Sequence, residues 1–70
     1  MQRTPVPSSD IRSIGYDPGS RTLEIEFHGG GVYQYYDVPE TVQRNLLGAS
    51  SHGQYFNAHI KDRFRYQRIS

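Results

Sequence analysis

A strict alternation of apolar and polar residues near the middle of the chain most constrains the fold. Leu23, Ile25 and Phe27 share one side of this segment, whereas Glu24 and Glu26 share the other. Successive side chains of a β-strand point to opposite faces, so the pattern predicts an amphipathic strand with one buried face.

Two reversals flank this strand, which spans residues 22–27. The segment Asp17–Ser20 has proline second and glycine third, which predicts a type II turn after a first strand over residues 11–16. On the other side, Gly29–Gly31 is a second reversal and leads into a third strand rich in tyrosine. Tight connections join antiparallel neighbours, so the three strands are expected to form a meander.

The third strand is oriented by one polar residue. Gln34 is costly to bury and is expected to face solvent, which turns Tyr33 and Tyr35 inward. Val32 and Tyr36 then share the solvent side with the two glutamates of the preceding strand. Carboxylates in the middle of this open face would repel a phosphate backbone unless they are masked.

Helical spacing replaces strand alternation after Pro39. Apolar residues predict a short helix over 39–47, and a second helix is expected over 52–61 with Ser51 as its N-cap. Phe64 and Tyr66 then alternate with polar residues, which predicts a fourth strand paired with the first.

The predicted fold class is α+β: a small antiparallel sheet, made of the three-strand meander plus the C-terminal strand, covered on one face by two short helices. Residues 1–7 are polar and contain two prolines, so they are expected to form a flexible arm. Residues 8–70 are expected to form a single domain. A chain of 70 residues with nine aromatic side chains can close a small core without a cysteine framework.

Neither a signal peptide nor a membrane span is recognisable in the sequence, which favours a cytoplasmic protein. No catalytic, metal or cofactor site is predicted, and the chain is expected not to be an enzyme. His52 and His59 are separated by about two helical turns, or ~10 Å, which is a poor spacing for two ligands of one metal ion. Ser51 beside His52 is better explained as a helix cap than as a nucleophile beside a base.

Positive charge is concentrated at the C-terminal end. From residue 59 onward the balance is 4 − 1 = +3, with Lys61, Arg63, Arg65 and Arg68 against Asp62. Such a stripe can contact phosphates. A solvated strand face that keeps a small protein dispersed is the alternative interpretation.

Three motifs together resemble the KTSC domain, and the similarity covers residues 6–69. They are the run over Val6–Asp17, the Tyr-x-Tyr pair followed by Asp37-Val38-Pro39, and the Gly-x-Tyr-Phe-Asn region within Ala49–Ile60. This family is named after a domain at the C-terminus of some lysyl-tRNA synthetases and also occurs as small bacterial proteins. The resemblance implies that Tyr33 and Tyr35 are the family hallmark, with a structural role, and suggests RNA binding.

Two functional hypotheses follow. The first is a module that binds RNA or tRNA weakly and without sequence preference, with Tyr66 or Tyr36 stacking a base and phosphate contacts from Arg12, Lys61, Arg63, Arg65 and Arg68. The second is a protein-interaction or self-association module that uses a strand edge or the open sheet face. The oligomeric state is left open, with a monomer favoured.

Overall fold

The computed structural model describes all 70 residues and contains one five-stranded antiparallel sheet with two helices. The strands follow one another across the sheet in chain order. The elements are β1 (Thr4–Pro5), β2 (Ile11–Asp17), β3 (Thr22–Phe27), β4 (Val32–Tyr35), α1 (Glu40–Leu47), α2 (His52–His59) and β5 (Tyr66–Arg68). The predicted α+β class and the β2-β3-β4 meander are confirmed.

The register between β3 and β4 confirms the expected facing of the tyrosine strand. Ile25 lies opposite Tyr33, and Glu24 lies opposite Gln34. Paired residues of antiparallel strands point to the same face, so the tyrosine belongs to the core side and the glutamine to the open side.

Both helices cover the core side of the sheet. Leu46 of α1 and Phe56 of α2 join Ile25 in one buried cluster. The Phe56 ring meets Tyr35 edge-on, with ring centroids 5.5 Å apart. Aromatic contacts of this kind add to the stability from buried area, and so help a small domain with a modest apolar content to close its core.

A β-bulge in β2 explains its imperfect alternation. The register shifts between Ile11 and Ser13, which allows both Ile11 and Ile14 to reach the core. The extra residue at the bulge is Arg12, and its side chain is exposed. A bulge places one more residue on its own strand than on the partner, so the simple two-residue period fails there.

The β2–β3 turn differs from the predicted type II geometry. The left-handed conformation falls on Arg21, with φ 57°, and not on Gly19. The Asp17 carboxylate accepts hydrogen bonds from the Gly19 amide at 3.1 Å and from the Ser20 hydroxyl at 2.8 Å. This side-chain turn replaces the backbone conformation that the proline and glycine suggested.

The flexible arm expected at residues 1–7 is docked in the structure. Thr4 pairs with Ile14 and Pro5 with Ser13, so β1 is an edge strand of the sheet. Pro5 has no amide hydrogen to donate, and such a residue is tolerated at a sheet edge. Gly15 permits the approach of the arm, because a Cβ at this position would lie 2.5 Å from the carbonyl oxygen of Gln2.

The expected pairing of the C-terminal strand with the first predicted strand is wrong. β5 pairs with β4, and Tyr66 lies opposite Tyr35. The reason is that β1 occupies the outer edge of β2, which leaves the outer edge of β4 for the last strand. β5 also begins later than predicted, since residues 60–63 form a turn and the strand starts only at Tyr66.

Helix α2 begins as the sequence predicts. The Ser51 hydroxyl accepts a hydrogen bond from the Gln54 amide at 3.2 Å, as an N-cap does. The buried His52 side chain connects the two helices, because its Nδ1 lies 2.8 Å from the carbonyl oxygen of Leu46. Neither helix has the length and apolar character that a membrane crossing requires.

Candidate functional site

The four C-terminal cations lie along one edge of the molecule. Lys61 follows α2, Arg63 and Arg65 lie in the segment that leads to β5, and Arg68 is the last residue of β5. All four side chains are exposed. We call this region, residues 61–68, the β5 edge.

Arg12 is not part of the β5 edge. It lies on β2, with β3 and β4 between it and β5, and its guanidinium is 3.9 Å from the Glu26 carboxylate. The RNA-binding hypothesis groups Arg12 with the C-terminal cations as a phosphate contact, and pairing of the C-terminal strand with the first strand would have placed it beside them. The structure separates them because β5 pairs with β4.

Two of the arginines lie over tyrosine rings. The Arg65 guanidinium is 5.6 Å from the centroid of Tyr36 and donates to the Asp37 carboxylate at 3.1 Å. The Arg68 guanidinium is 5.8 Å from the centroid of Tyr33. These contacts restrict the two side chains while leaving their charged groups open to solvent, which lowers the entropy lost when they bind an anion.

An aromatic groove lies beside the β5 edge on the helix-covered face of the sheet. It has a volume of about 560 Å³, and its apolar walls include Phe27, Tyr33, Tyr35, Phe56 and Tyr66. The Tyr66 ring is 6.0 Å from Tyr33 and 5.6 Å from Tyr35, centroid to centroid. Tyr66 is 58% exposed, so one wall of the groove is accessible from solvent.

The groove contains one hydroxyl that has no protein partner, that of Tyr35. Tyr35 is only 5% exposed, yet no protein group hydrogen-bonds to its hydroxyl, which still touches solvent. Burial, together with the neighbouring Tyr33, Tyr66 and Asp62, raises the pKa of Tyr35 to about 12. The phenol therefore remains protonated near neutral pH and can both donate and accept a hydrogen bond.

Four polar side chains form the rim of the groove: Asp10, Asn57, Lys61 and Asp62. Asp10 packs closely against Gly53 in α2, where an added Cβ would lie 2.5 Å from its Oδ2 atom. Asn57 faces solvent and makes no side-chain hydrogen bond within the protein. Sequence reasoning did not bring these residues together, because they come from distant segments that meet only when α2 packs on the sheet.

The acidic open face is masked, which the sequence did not reveal. Glu24 is only 4% exposed, and its carboxylate accepts hydrogen bonds from Arg3 and, at 2.9 Å, from Gln34. Burial of the carboxyl group favours its neutral form, but these two hydrogen bonds and the Arg3 charge outweigh burial and lower the pKa of Glu24. Arg3 provides this mask only because β1 is docked, and no pattern within residues 1–7 signals that docking.

The Tyr-x-Tyr motif has two environments. Tyr35 is in the buried core, whereas Tyr33 is half-buried between Phe27 and the β5 edge. No group of three or more His, Cys, Asp or Glu side chains in the structure is arranged to hold a metal ion.

Comparison with known proteins agrees with this architecture. Residues 7–64 match the KTSC domain. The chain belongs to the KTSC domain family. A crystal structure of a KTSC domain protein from Yersinia pestis superposes with a TM-score of 0.97 at 49% identity, covering 99% of this chain and 97% of that one.

Two relatives show the contexts in which a KTSC domain occurs. An uncharacterized protein of Stutzerimonas stutzeri is 46% identical over 70 residues, with 99% of each chain covered. A lysine–tRNA ligase of Nostoc sp. is 44% identical over 62 residues, which are 89% of this chain but 11% of the ligase. KTSC domains are therefore found both in small proteins and as a minor part of a much longer one.

Proposed function

We propose that this KTSC domain is a non-enzymatic module that binds single-stranded RNA weakly through the β5 edge. The observation that carries the proposal is the exposed ring of Tyr66 among four cations. An aromatic ring that stacks a base, flanked by side chains that contact phosphates, is the usual composition of a single-strand binding surface.

The charge pattern supports the β5 edge over the rest of the surface. Near Tyr66 the cations outnumber the acids, which are Asp37 and Asp62. The glutamates of the open face are already paired with arginines. Phosphates are attracted to the edge with the excess of positive charge, so the backbone of a bound strand runs along β5.

The occurrence of a similar region in a lysine–tRNA ligase is a second support. The name of that enzyme refers to tRNA, so a similar region occurs within a protein that acts on an RNA. The ligase is mostly outside the matched region, and its catalytic activity does not extend to this chain.

The salt dependence of binding tests the proposal. Four phosphate contacts on a single strand give a slope of log affinity against log salt of about −2.8. Affinity for a labelled oligonucleotide should therefore fall about 50-fold between ~50 and ~200 mM salt. Fluorescence anisotropy measures this directly, and equal affinity at the two salt concentrations would refute the proposal.

Matched variants locate the surface. Arg63→Ala should weaken binding and make the salt slope shallower by about 0.7, because one phosphate contact is lost. Tyr66→Ala should weaken binding by about tenfold without changing the slope, because stacking is uncharged. Arg44→Ala, which removes an exposed arginine on α1, is the control and should bind like the unaltered protein.

A second candidate function is the addition of a peptide strand to β5. This strand is at the edge of the sheet, and the adjoining Ile69 is 46% exposed. An edge strand offers unpaired backbone groups to another chain. Self-association by this route predicts a sedimentation coefficient that rises with protein concentration, whereas a constant monomer value argues against it.

A further inference from the structure

We infer that the aromatic groove receives one unpaired guanine base of the bound RNA, so that a single position of the strand is read. This inference rests on the proposed function and adds a ligand for the groove. The base would enter beside Tyr66 while its phosphates remain outside on the β5 edge.

The walls of the groove suit a flat aromatic ligand. Phe27, Tyr33, Phe56 and Tyr66 surround a space of about 560 Å³, which lies in the usual range for a small-molecule site. Tyr66 belongs to both the groove and the exposed edge, so a strand that stacks on this ring has the groove within reach of its next base. Stacking on aromatic walls is favourable for every base and does not by itself select one.

Charge determines which part of a nucleotide enters. At the rim two carboxylates, Asp10 and Asp62, outnumber the single cation, Lys61, and the three arginines of the edge do not line the groove. A phosphate inside the groove would meet two negative groups, whereas the donor edge of a base would meet two hydrogen-bond acceptors. The base therefore enters, and Lys61 and Arg68 remain available to the backbone.

The polar groups favour guanine among the four bases. Its Watson–Crick edge carries two adjacent donors, N1–H and the 2-amino group, which one carboxylate accepts together. Asp10 is the carboxylate that lies against helix α2, beside Gly53. The Tyr35 hydroxyl, which is protonated and has no protein partner, is open to the groove and can donate to guanine O6. Uracil, cytosine and adenine present no pair of adjacent donors.

The test compares oligouridine of about ten nucleotides with the same strand carrying one central guanine, adenine or cytosine. The guanine strand should bind about tenfold more tightly than the others by fluorescence anisotropy. Replacing that guanine by inosine, which lacks the 2-amino group, should remove most of the preference. The inosine experiment uses the unaltered protein and does not depend on the folding of a variant.

Two isosteric variants assign the preference to the groove. Asp10→Asn should abolish the guanine preference while leaving the affinity for oligouridine and the salt slope unchanged. Tyr35→Phe should reduce the preference and leave the ring in place. Asp17→Asn, at the β2–β3 turn outside the groove, is the matched control and should retain the full preference.

The outcomes separate the two proposals. Equal, salt-sensitive binding of all four strands would overturn the guanine pocket and leave the RNA-binding function standing. No binding of any strand at low salt would overturn both. NMR shifts confined to the groove on addition of a lysine- and arginine-rich peptide, without shifts on addition of RNA, would also overturn the inference and indicate a protein partner.

Discussion

Arg3, next to β1, forms an ion pair with the buried carboxylate of Glu24. Arg3→Ala leaves that carboxylate without its cation and should therefore destabilise the fold. The carboxylate is 4% exposed and would keep only the hydrogen bond from Gln34. Removing one partner of a buried ion pair costs about 3–5 kcal/mol. The Arg3 side chain is 30% exposed, so water screens the pair and can partly replace the lost guanidinium.

The discounted cost is about 2 kcal/mol, near the value of a hydrogen bond to a charged group. This corresponds to a change of about 30-fold in the folding equilibrium constant. In a domain of this size it should lower the melting temperature by about 8–16 °C. Urea denaturation followed by far-ultraviolet circular dichroism measures the free energy of unfolding, and Arg44→Ala is the exposed control.

The pH dependence distinguishes a charge effect from a loss of packing. With Arg3 present, the pKa of Glu24 is below its ordinary value of 4.5, so its contribution to stability is lost as the pH falls through the lowered value. Without Arg3 the pKa of Glu24 is higher than in the unaltered protein, because the hydrogen bond and the charge that Arg3 supplies are gone, so the ionised carboxylate contributes less to stability above that pKa. The difference between the two proteins should therefore be larger at about pH 7 than at about pH 4.

Adding Glu24→Gln to the Arg3→Ala chain removes the buried charge and should restore part of the lost stability. A loss that is equal at both pH values and is not relieved by the second substitution would refute the reasoning.

Three further predictions follow from single contacts. Spectrophotometric titration should show one of the six tyrosines ionising at about pH 12, and Tyr35→Phe should lack that step; titration of all six at the ordinary pKa of 10.0 would contradict this. Because the pKa is raised in the folded protein, the stability that Tyr35 contributes is complete below pH 10.0 and is lost as the pH rises towards 12. Ser51→Ala should cost about 1 kcal/mol in urea denaturation, and Ser51→Asp should keep most of the cap. Gly53→Ala should leave the melting temperature nearly unchanged, because the new Cβ meets only the terminal Oδ2 of the exposed Asp10 side chain, which can turn away, and alanine favours a helix over glycine by about 1 kcal/mol. A loss of more than ~1 kcal/mol that Asp10→Ala relieves would contradict this.

Elements that depend on neighbouring residues could be predicted from the sequence. The alternation over Leu23–Phe27 determines both the position and the facing of β3. Gln34 orients β4 because an amide is costly to bury, and Ser51 marks the start of α2 because its hydroxyl can cap a helix. The motifs that resemble the KTSC domain carried the family assignment, which the comparisons confirm.

Features that depend on distant segments could not be predicted. β1 has two residues and no alternation, so nothing within residues 1–7 indicates that it pairs with β2. That pairing decides which edge remains for β5, and therefore also where the C-terminal cations lie relative to Arg12. The aromatic groove combines residues from β2, β3, β4, α2 and β5, and its shape exists only after the helix packs on the sheet.

The succession of strands in chain order has a consequence for fusion proteins. β1 and β5 lie at opposite edges of the sheet, in a molecule about 28 × 25 × 23 Å in extent. A domain tethered ahead of β1 is attached far from Tyr66 and leaves that surface open. A domain tethered after β5 begins next to Arg68, at the same edge as Tyr66. The side on which a KTSC domain is joined to a longer chain therefore determines how close the attached chain lies to the β5 edge.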